Sequence, residues 1–213
     1  MASADDVEML ARLARLASAA HDAFVFDDAE VQERFYSGLI DAQVAEFQPR
    51  FSTVACDTAG KLIGLLAVLT AAELKTVRLK GAMWIARSKL AASEPQLVRR
   101  LQLAASVGVR LQSTDSYLSR IAVLAHCGIP KVGQILLAAA ISQARSSGAV
   151  RLVLDVSTDN CRARKFYDRA DFHEIGRARV EDAASGRTLE FLHLALRVSD
   201  ISALPSQSVP NVS

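Results

Sequence analysis

Apolar residues recur at helical spacing in two N-terminal stretches. From Asp5 to Ala20, Val7, Leu10, Leu13, Ala14 and Ala17 make one stripe with arginines on the other face, and Asp5 or Asp6 is the expected N-cap. From Ala29 to Phe47 the stripe is Val31, Phe35, Leu39 and Val44, and Pro49 closes it. The period then changes. Phe51–Cys56 and Leu62–Leu69 are apolar runs joined by Asp57-Thr58-Ala59-Gly60-Lys61, which predicts an antiparallel hairpin. Its second arm is apolar on both faces and so belongs in the middle of a sheet.

Glu73–Leu90 and Pro95–Val107 return to helical spacing, with Pro95 suited to a first turn. Tyr117–Leu124 reads as a strand, and Gly133–Ser146 as a helix with Ile135, Leu136, Ala139, Ala140 and Ala144 as its apolar residues. Gly148 is its expected C′ residue, Arg151–Val156 the next strand, and about Asn160 to Arg169 the next helix. Glu174–Val180 and Thr188–Val198 form a second hairpin around Asp182–Gly186. Strand, loop, helix, strand is a βαβ unit, and the whole order predicts an α/β (α+β) domain. Its sheet is expected to be mixed, mostly antiparallel and twisted, flanked by helices. Residues 1–198 read as one domain with a helical insertion at 71–110; residues 199–213, with two prolines and little to bury, read as a flexible tail.

Composition narrows the partners. With 213 residues and 51% hydrophobic content the chain can bury one sizeable core. A net charge of +2 argues against a nucleic-acid backbone or an acidic membrane as main partner, and the longest apolar run, Leu62–Ala72, is too short to span a bilayer. Cys56, Cys127 and Cys161 are odd in number and form no C-x-x-C pair, which fits free thiols in a reducing compartment and makes cytoplasm the expected location. His21, His126, His173 and His193 lack metal-ligand spacing, so no metal is expected. Basic residues crowd between Lys75 and Arg110: Lys75, Arg78, Lys80, Arg87, Lys89, Arg99, Arg100 and Arg110. They are either solvated helix faces or a cationic rim for an acidic ligand.

The chemistry concentrates between Tyr117 and Phe172. A tight loop there opens a helix N-terminus, whose unpaired N–H groups and dipole can hold a phosphate. From Val123 to Gly133 the chain aligns without gaps with V-x-P-x-x-[RQ]-x-x-G-x-[GA], and Leu136-Leu137 follow. Asn160, Ala163, Phe166, Tyr167 and Phe172 keep the spacing of N-x-x-A-x-x-[LF]-Y-x-x-x-G-F. Together these resemble the GNAT superfamily of acyl-CoA-dependent N-acyltransferases, over about a quarter of the chain. The loop departs from the pattern: Gly128 stands for Arg or Gln, Pro130 offers no N–H, and Lys131 replaces the middle Gly.

The resemblance implies a GNAT-like fold and transfer of an acetyl group from acetyl-CoA to a primary amine, on a small molecule or a peptide, in a ternary complex. It implies that Gly128, Ile129, Lys131, Val132, Gly133 and Gln134 hold the pyrophosphate, and that the backbone of Ile121, Ala122 and Val123 binds pantetheine. Asn160 would bond the pantetheine arm, although an Asn after a strand is equally an N-cap. Tyr167 falls where the family places its general acid; it can also be a packed tyrosine. Asp155 matches a carboxylate that serves as proton acceptor in the family's ribosomal-protein alanine acetyltransferases; a water chain to bulk, or a Glu or Asp of the N-terminal half, is the alternative base. The alternative is a module that keeps the fold, and acyl-CoA affinity with it, without catalysis. The 71–110 insertion would wall the acceptor site or a homodimer interface.

Overall fold

The computed structural model describes residues 4–125 and 127–198; the expected tail at 199–213 and His126 lie outside them. Three helices come first, α1 (Ala4–Ala17), α2 (Ala19–Val25) and α3 (Ala29–Asp41). The first helix is expected to continue to Ala20, but the chain breaks at Ser18 and α2 starts on a new axis, which buries Phe24 and Val25. The next ends six residues before Phe47 because Gln43 turns into the left-handed region (φ 53°). The Val44 N–H then closes on the Leu39 carbonyl at 3.0 Å, a Schellman-type stop built without glycine.

β1 (Ser52–Cys56) and β2 (Leu62–Thr70) form the expected hairpin, and β2 is buried along nearly its whole length. Thr70 and Glu73 form a reciprocal capping box that starts α4 (Ala71–Arg87). Short α5 (Lys89–Ser93) and α6 (Pro95–Ser106) complete the insertion. Then follow β3 (Asp115–Val123), α7 (Val132–Ser146), β4 (Arg151–Ser157), α8 (Cys161–Asp168), β5 (His173–Asp182) and β6 (Arg187–Arg197). The strands lie in the order β1-β2-β3-β4-β6-β5, and only β3 and β4 run parallel.

Helices cover both faces. On one face α7 packs Leu136, Leu137, Ala140 and Ala144 against Ile63, Leu66, Leu118 and Leu154. Ile135, expected on that stripe, is 63% exposed, because the buried row follows 132, 136, 140 and 144 along the helix. Gly64 permits the close approach: a Cβ there would meet a Leu136 methyl at 3.0 Å and the Ala122 carbonyl at 3.2 Å. On the other face α1, α2, α3 and α6 bury Leu13, Phe24, Phe35, Tyr36 and Leu97 with Leu65, Ala67 and Ala122 of the sheet.

The basic crowd of the insertion is partly structural. Asp182, fully buried in the β5–β6 turn, accepts bonds from Ser185, Arg99 and Arg100, and these hold its carboxyl well below the ordinary range against the opposing effect of burial. Arg100 also reaches Asp27 at 2.6 Å, and Arg187 holds the same carboxylate. This network pins α6 and the α2–α3 link to the far hairpin.

Candidate functional site

The site begins where the sheet opens. β3 and β4 pair only at Asp115–Arg151, Ser116–Leu152 and Tyr117–Val153; beyond Tyr117 the two parallel strands have no register with each other. On its other side β3 stays paired to β2 as far as Val123, with a bulge at Ser119. The β4-facing backbone groups of the second half of β3 are therefore left without a strand partner. A cleft of about 1500 Å³ lies there, larger than an ordinary small-molecule pocket and suited to an extended ligand.

Ile121, Ala122, Val123, Gly128, Ile129, Lys131, Val132, Gly133, Gln134, Asn160 and Tyr167 all line this cleft. Residues from three separate segments thus converge as the motifs imply. The cleft also has a wall that no motif marks: Met9, Arg12, Arg15 and Leu16 of α1, with Lys61 of the first hairpin and Arg162 of α8. Arg12, Arg15, Lys61, Lys131 and Arg162 make five basic residues, and no Asp or Glu is among the lining residues. A cationic rim exists, but none of the insertion's basic residues contributes to it.

The loop keeps a left-handed backbone at two positions. Gly128 has φ 70°, which only glycine adopts at no cost. Lys131 has φ 64° as N-cap of α7, so the family pattern's middle Gly conformation survives here with a side chain attached. That costs roughly 1 kcal/mol and is typical of functional sites. The Gln134 and Ile135 N–H groups close on the Lys131 carbonyl, whereas those of Lys131, Val132 and Gly133 have no partner among the described residues. Three adjacent free donors at a helix start, beside a lysine, form an anion-binding nest. Lys131→Gly is expected to raise the melting temperature by a few degrees through strain relief while weakening acetyl-CoA binding; thermal unfolding and calorimetry measure the two separately.

Tyr167 is 6% exposed, with its ring between Phe166 (centroids 5.4 Å) and Phe172 (5.3 Å). Its hydroxyl has no protein partner among the described residues, and burial pushes it well above the ordinary phenol range. It therefore keeps its proton through neutrality, as an acid must. Asn160 caps α8 by accepting the Ala163 N–H at 3.0 Å, which leaves its amide donors for a ligand. Asp171, at the Gly position of the second pattern, also holds a left-handed backbone (φ 61°).

Asp155 lies on β4 just past the point where the strands part, yet it does not line the cleft. It accepts from His193 Nδ1 at 2.6 Å, the Tyr117 hydroxyl at 3.0 Å and the Val109 N–H at 3.2 Å. The α4 helix closes over this face. Its Arg78 stands over the Tyr117 ring at 5.3 Å and bonds Glu46 at 2.9 Å, while Ser119 and Arg120 approach Glu46 from β3. Burial alone would raise the Glu46 carboxyl, but Arg78, Arg120 and Ser119 bring it down to about 2. Its pairing therefore stabilises the fold fully above its ordinary value of 4.5, and the contribution, about 3 kcal/mol, is lost as pH falls toward 2. In urea unfolding, Glu46→Gln is expected to be the weaker protein at pH 7, with the gap closing between pH 5 and 2.

Among the described residues no group of His, Cys, Asp and Glu is arranged to hold a metal ion, and no helix is long and apolar enough to cross a membrane.

Comparison with solved structures finds the same fold at low identity. The crystal structure of an acetyltransferase superposes with a TM-score of 0.60 at 19% identity, covering 92% of this chain and 97% of the other. The structure of SsHAT gives 0.62 at 19%, covering 92% and 96%. The ribosomal-protein-S18-alanine N-acetyltransferase from Escherichia coli gives 0.50 at 15%, covering 98% and 95%. No curated protein matches the sequence. The model of the acetyltransferase (GNAT) family matches residues 13–172, from α1 of the cleft wall through the loop and Tyr167 to Phe172. The match takes in all three segments that meet at the cleft, and the chain belongs to the GNAT acetyltransferase family.

Proposed function

We propose that the protein transfers the acetyl group of acetyl-CoA to a primary amine by direct attack in a ternary complex. One observation carries this reading: free β3 backbone, three unpaired N–H groups at the start of α7 and the unpartnered Tyr167 hydroxyl open onto one acid-free cleft. Each matches a separate demand of the ligand. The pyrophosphate needs N–H donors and positive charge, which Lys131, Val132 and Gly133 offer. The pantetheine amides need strand-like partners, which Ile121–Val123 and the Asn160 amide offer. The departing thiolate needs a proton, and Tyr167 holds one. Arg12, Arg15, Lys61 and Arg162 balance the remaining phosphate charge. Asp155 lies on the strand that parts from β3, outside the cleft lining, so any part it takes in accepting the amine's proton runs through a neighbour. The similarity to the ribosomal-protein-S18-alanine enzyme supports a protein or peptide α-amine as one acceptor class.

Calorimetry with acetyl-CoA and mass spectrometry over a panel of α-amines, lysine amides and small amines test the proposal. Micromolar binding with a gain of one acetyl group on an amine is expected. Binding without transfer to any amine leaves a non-catalytic acyl-CoA-binding module on this fold; absence of binding removes both readings.

A further inference from the structure

β4 and β6 place Asp155 directly opposite His193 in the sheet, and the carboxylate takes a 2.6 Å bond from Nδ1. Asp155 already receives the Tyr117 hydroxyl and the Val109 N–H. With three donors around it, the carboxylate has little room for a substrate proton. Its effect is passed to the ring instead. An ionised carboxylate at Nδ1 fixes the tautomer in which Nδ1 carries the hydrogen and Nε2 the lone pair. That Nε2 has no partner among the described residues, although His193 is only 9% exposed.

The surroundings keep the free edge of the ring clear. On β5 the neighbour of His193 is Gly176, where a Cβ would stand 3.2 Å from Cδ2, the carbon next to Nε2. The charged and titratable groups on this face are Asp155 of β4, Tyr117 and Arg120 of β3, Arg78 of α4 and Glu46 before β1; Gly176 brings none. Arg78 and Arg120 are both engaged by Glu46. Asp155 lies two residues past the last β3–β4 contact, with His193 opposite it on β6, and neither is among the residues that line the cleft.

We propose that His193, oriented by Asp155, accepts the proton of the incoming amine, an inference that rests on the acetyl transfer proposed above. His193 Nε2 takes a proton from the acceptor ammonium. The freed nitrogen lone pair forms the C–N bond at the acetyl carbonyl, the C–S bond breaks with its electrons on sulfur, and Tyr167 protonates the thiolate. The second proton shed by the nitrogen returns to Tyr167, and His193 releases its own to solvent. Asp155 is then a positioning residue, and Tyr117 and Val109 hold it in place.

The test combines kinetics with the wild-type tautomer. With saturating acetyl-CoA and glycylglycine amide as the probe, His193→Gln is expected to lower the wild-type rate at pH 7 by 10²- to 10³-fold. The acetyl-CoA Kd is expected to stay within about twofold. The deficit should narrow as pH rises past the α-amine's own pKa, about 7.7–8.0, because the amine then arrives neutral. Nα-acetyl-lysine amide, whose ε-amine titrates near 10.4, should show a larger deficit at the same pH. In two-bond ¹H–¹⁵N spectra of the unmodified protein, His193 is expected as the Nδ1–H tautomer, which needs no variant to fold. Wild-type transfer with an unchanged rate and pH profile in His193→Gln overturns the proposal, as does an Nε2–H tautomer. Absence of transfer by the wild type instead removes the acetyl-transfer reading itself.

Discussion

Tyr167→Phe is expected to lower kcat by 10²- to 10³-fold, about 3–4 kcal/mol of transition-state stabilisation, with the acetyl-CoA Kd unchanged within about twofold. The reason lies in what the hydroxyl does not do. It bonds no protein group among the described residues, so its loss orphans no buried partner. The ring keeps Phe166 and Phe172, and the melting temperature should hold or rise slightly. A fall confined to kcat marks a group used only in the transition state. Steady-state kinetics beside calorimetry decide it: unchanged turnover means that Tyr167 is not the acid, and a parallel loss of affinity means that it serves binding.

What could be read from the sequence divides along a physical line. Features set by neighbours in the chain were legible: the Asp57–Lys61 hairpin, the Gly148 stop (φ 74°), the Pro95 helix start and the Asn160 cap all stand where local rules put them. The Gln43 stop was not, because a non-glycine residue in the left-handed region leaves no signal in composition. Lys131 hides the same conformation in the loop, where a pattern of glycines was expected.

Long-range features were legible only through the family resemblance. The two motifs brought Val123, Gly133, Asn160 and Tyr167 to one cleft because relatives of this kind carry them in register. Arg12 and Arg15 had no such guide. On α1 they read as a solvated helix face, and only the packing of Leu13 and Ala14 onto β2 and β3 turns them toward the loop. The insertion's basic residues left two readings open, solvated helix faces or a rim. Neither foresaw that Arg78, Arg99 and Arg100 find carboxylates at Glu46, Asp182 and Asp27, none of them adjacent in sequence. The Asp155–His193 pair depends on strand register between β4 and β6, which no local pattern encodes.

Gly133→Asp is expected to separate the fold from the ligand. A Cβ at this position meets Phe166 at 3.7 Å and Val123 at 3.9 Å, ordinary contacts that the protein accommodates. In the first turn of α7 an aspartate also gains over glycine in helix propensity and complements the dipole, together up to about 1 kcal/mol. The variant should therefore melt at or above the wild-type temperature. The pyrophosphate experiences the reverse. Its anionic oxygens would share the free N–H groups of Lys131, Val132 and Gly133 with a fixed carboxylate, inside a rim whose attraction depends on having no acid in it. Acetyl-CoA affinity is expected to fall 10- to 100-fold, about 1.4–2.8 kcal/mol, and the loss should shrink as salt screens the repulsion. Gly133→Ala, which adds the methyl without the charge, should lose much less. Equal losses for the two variants would mean that the Cβ obstructs the ligand and that charge at the helix start plays no part; wild-type affinity in both would place the pyrophosphate elsewhere along the cleft.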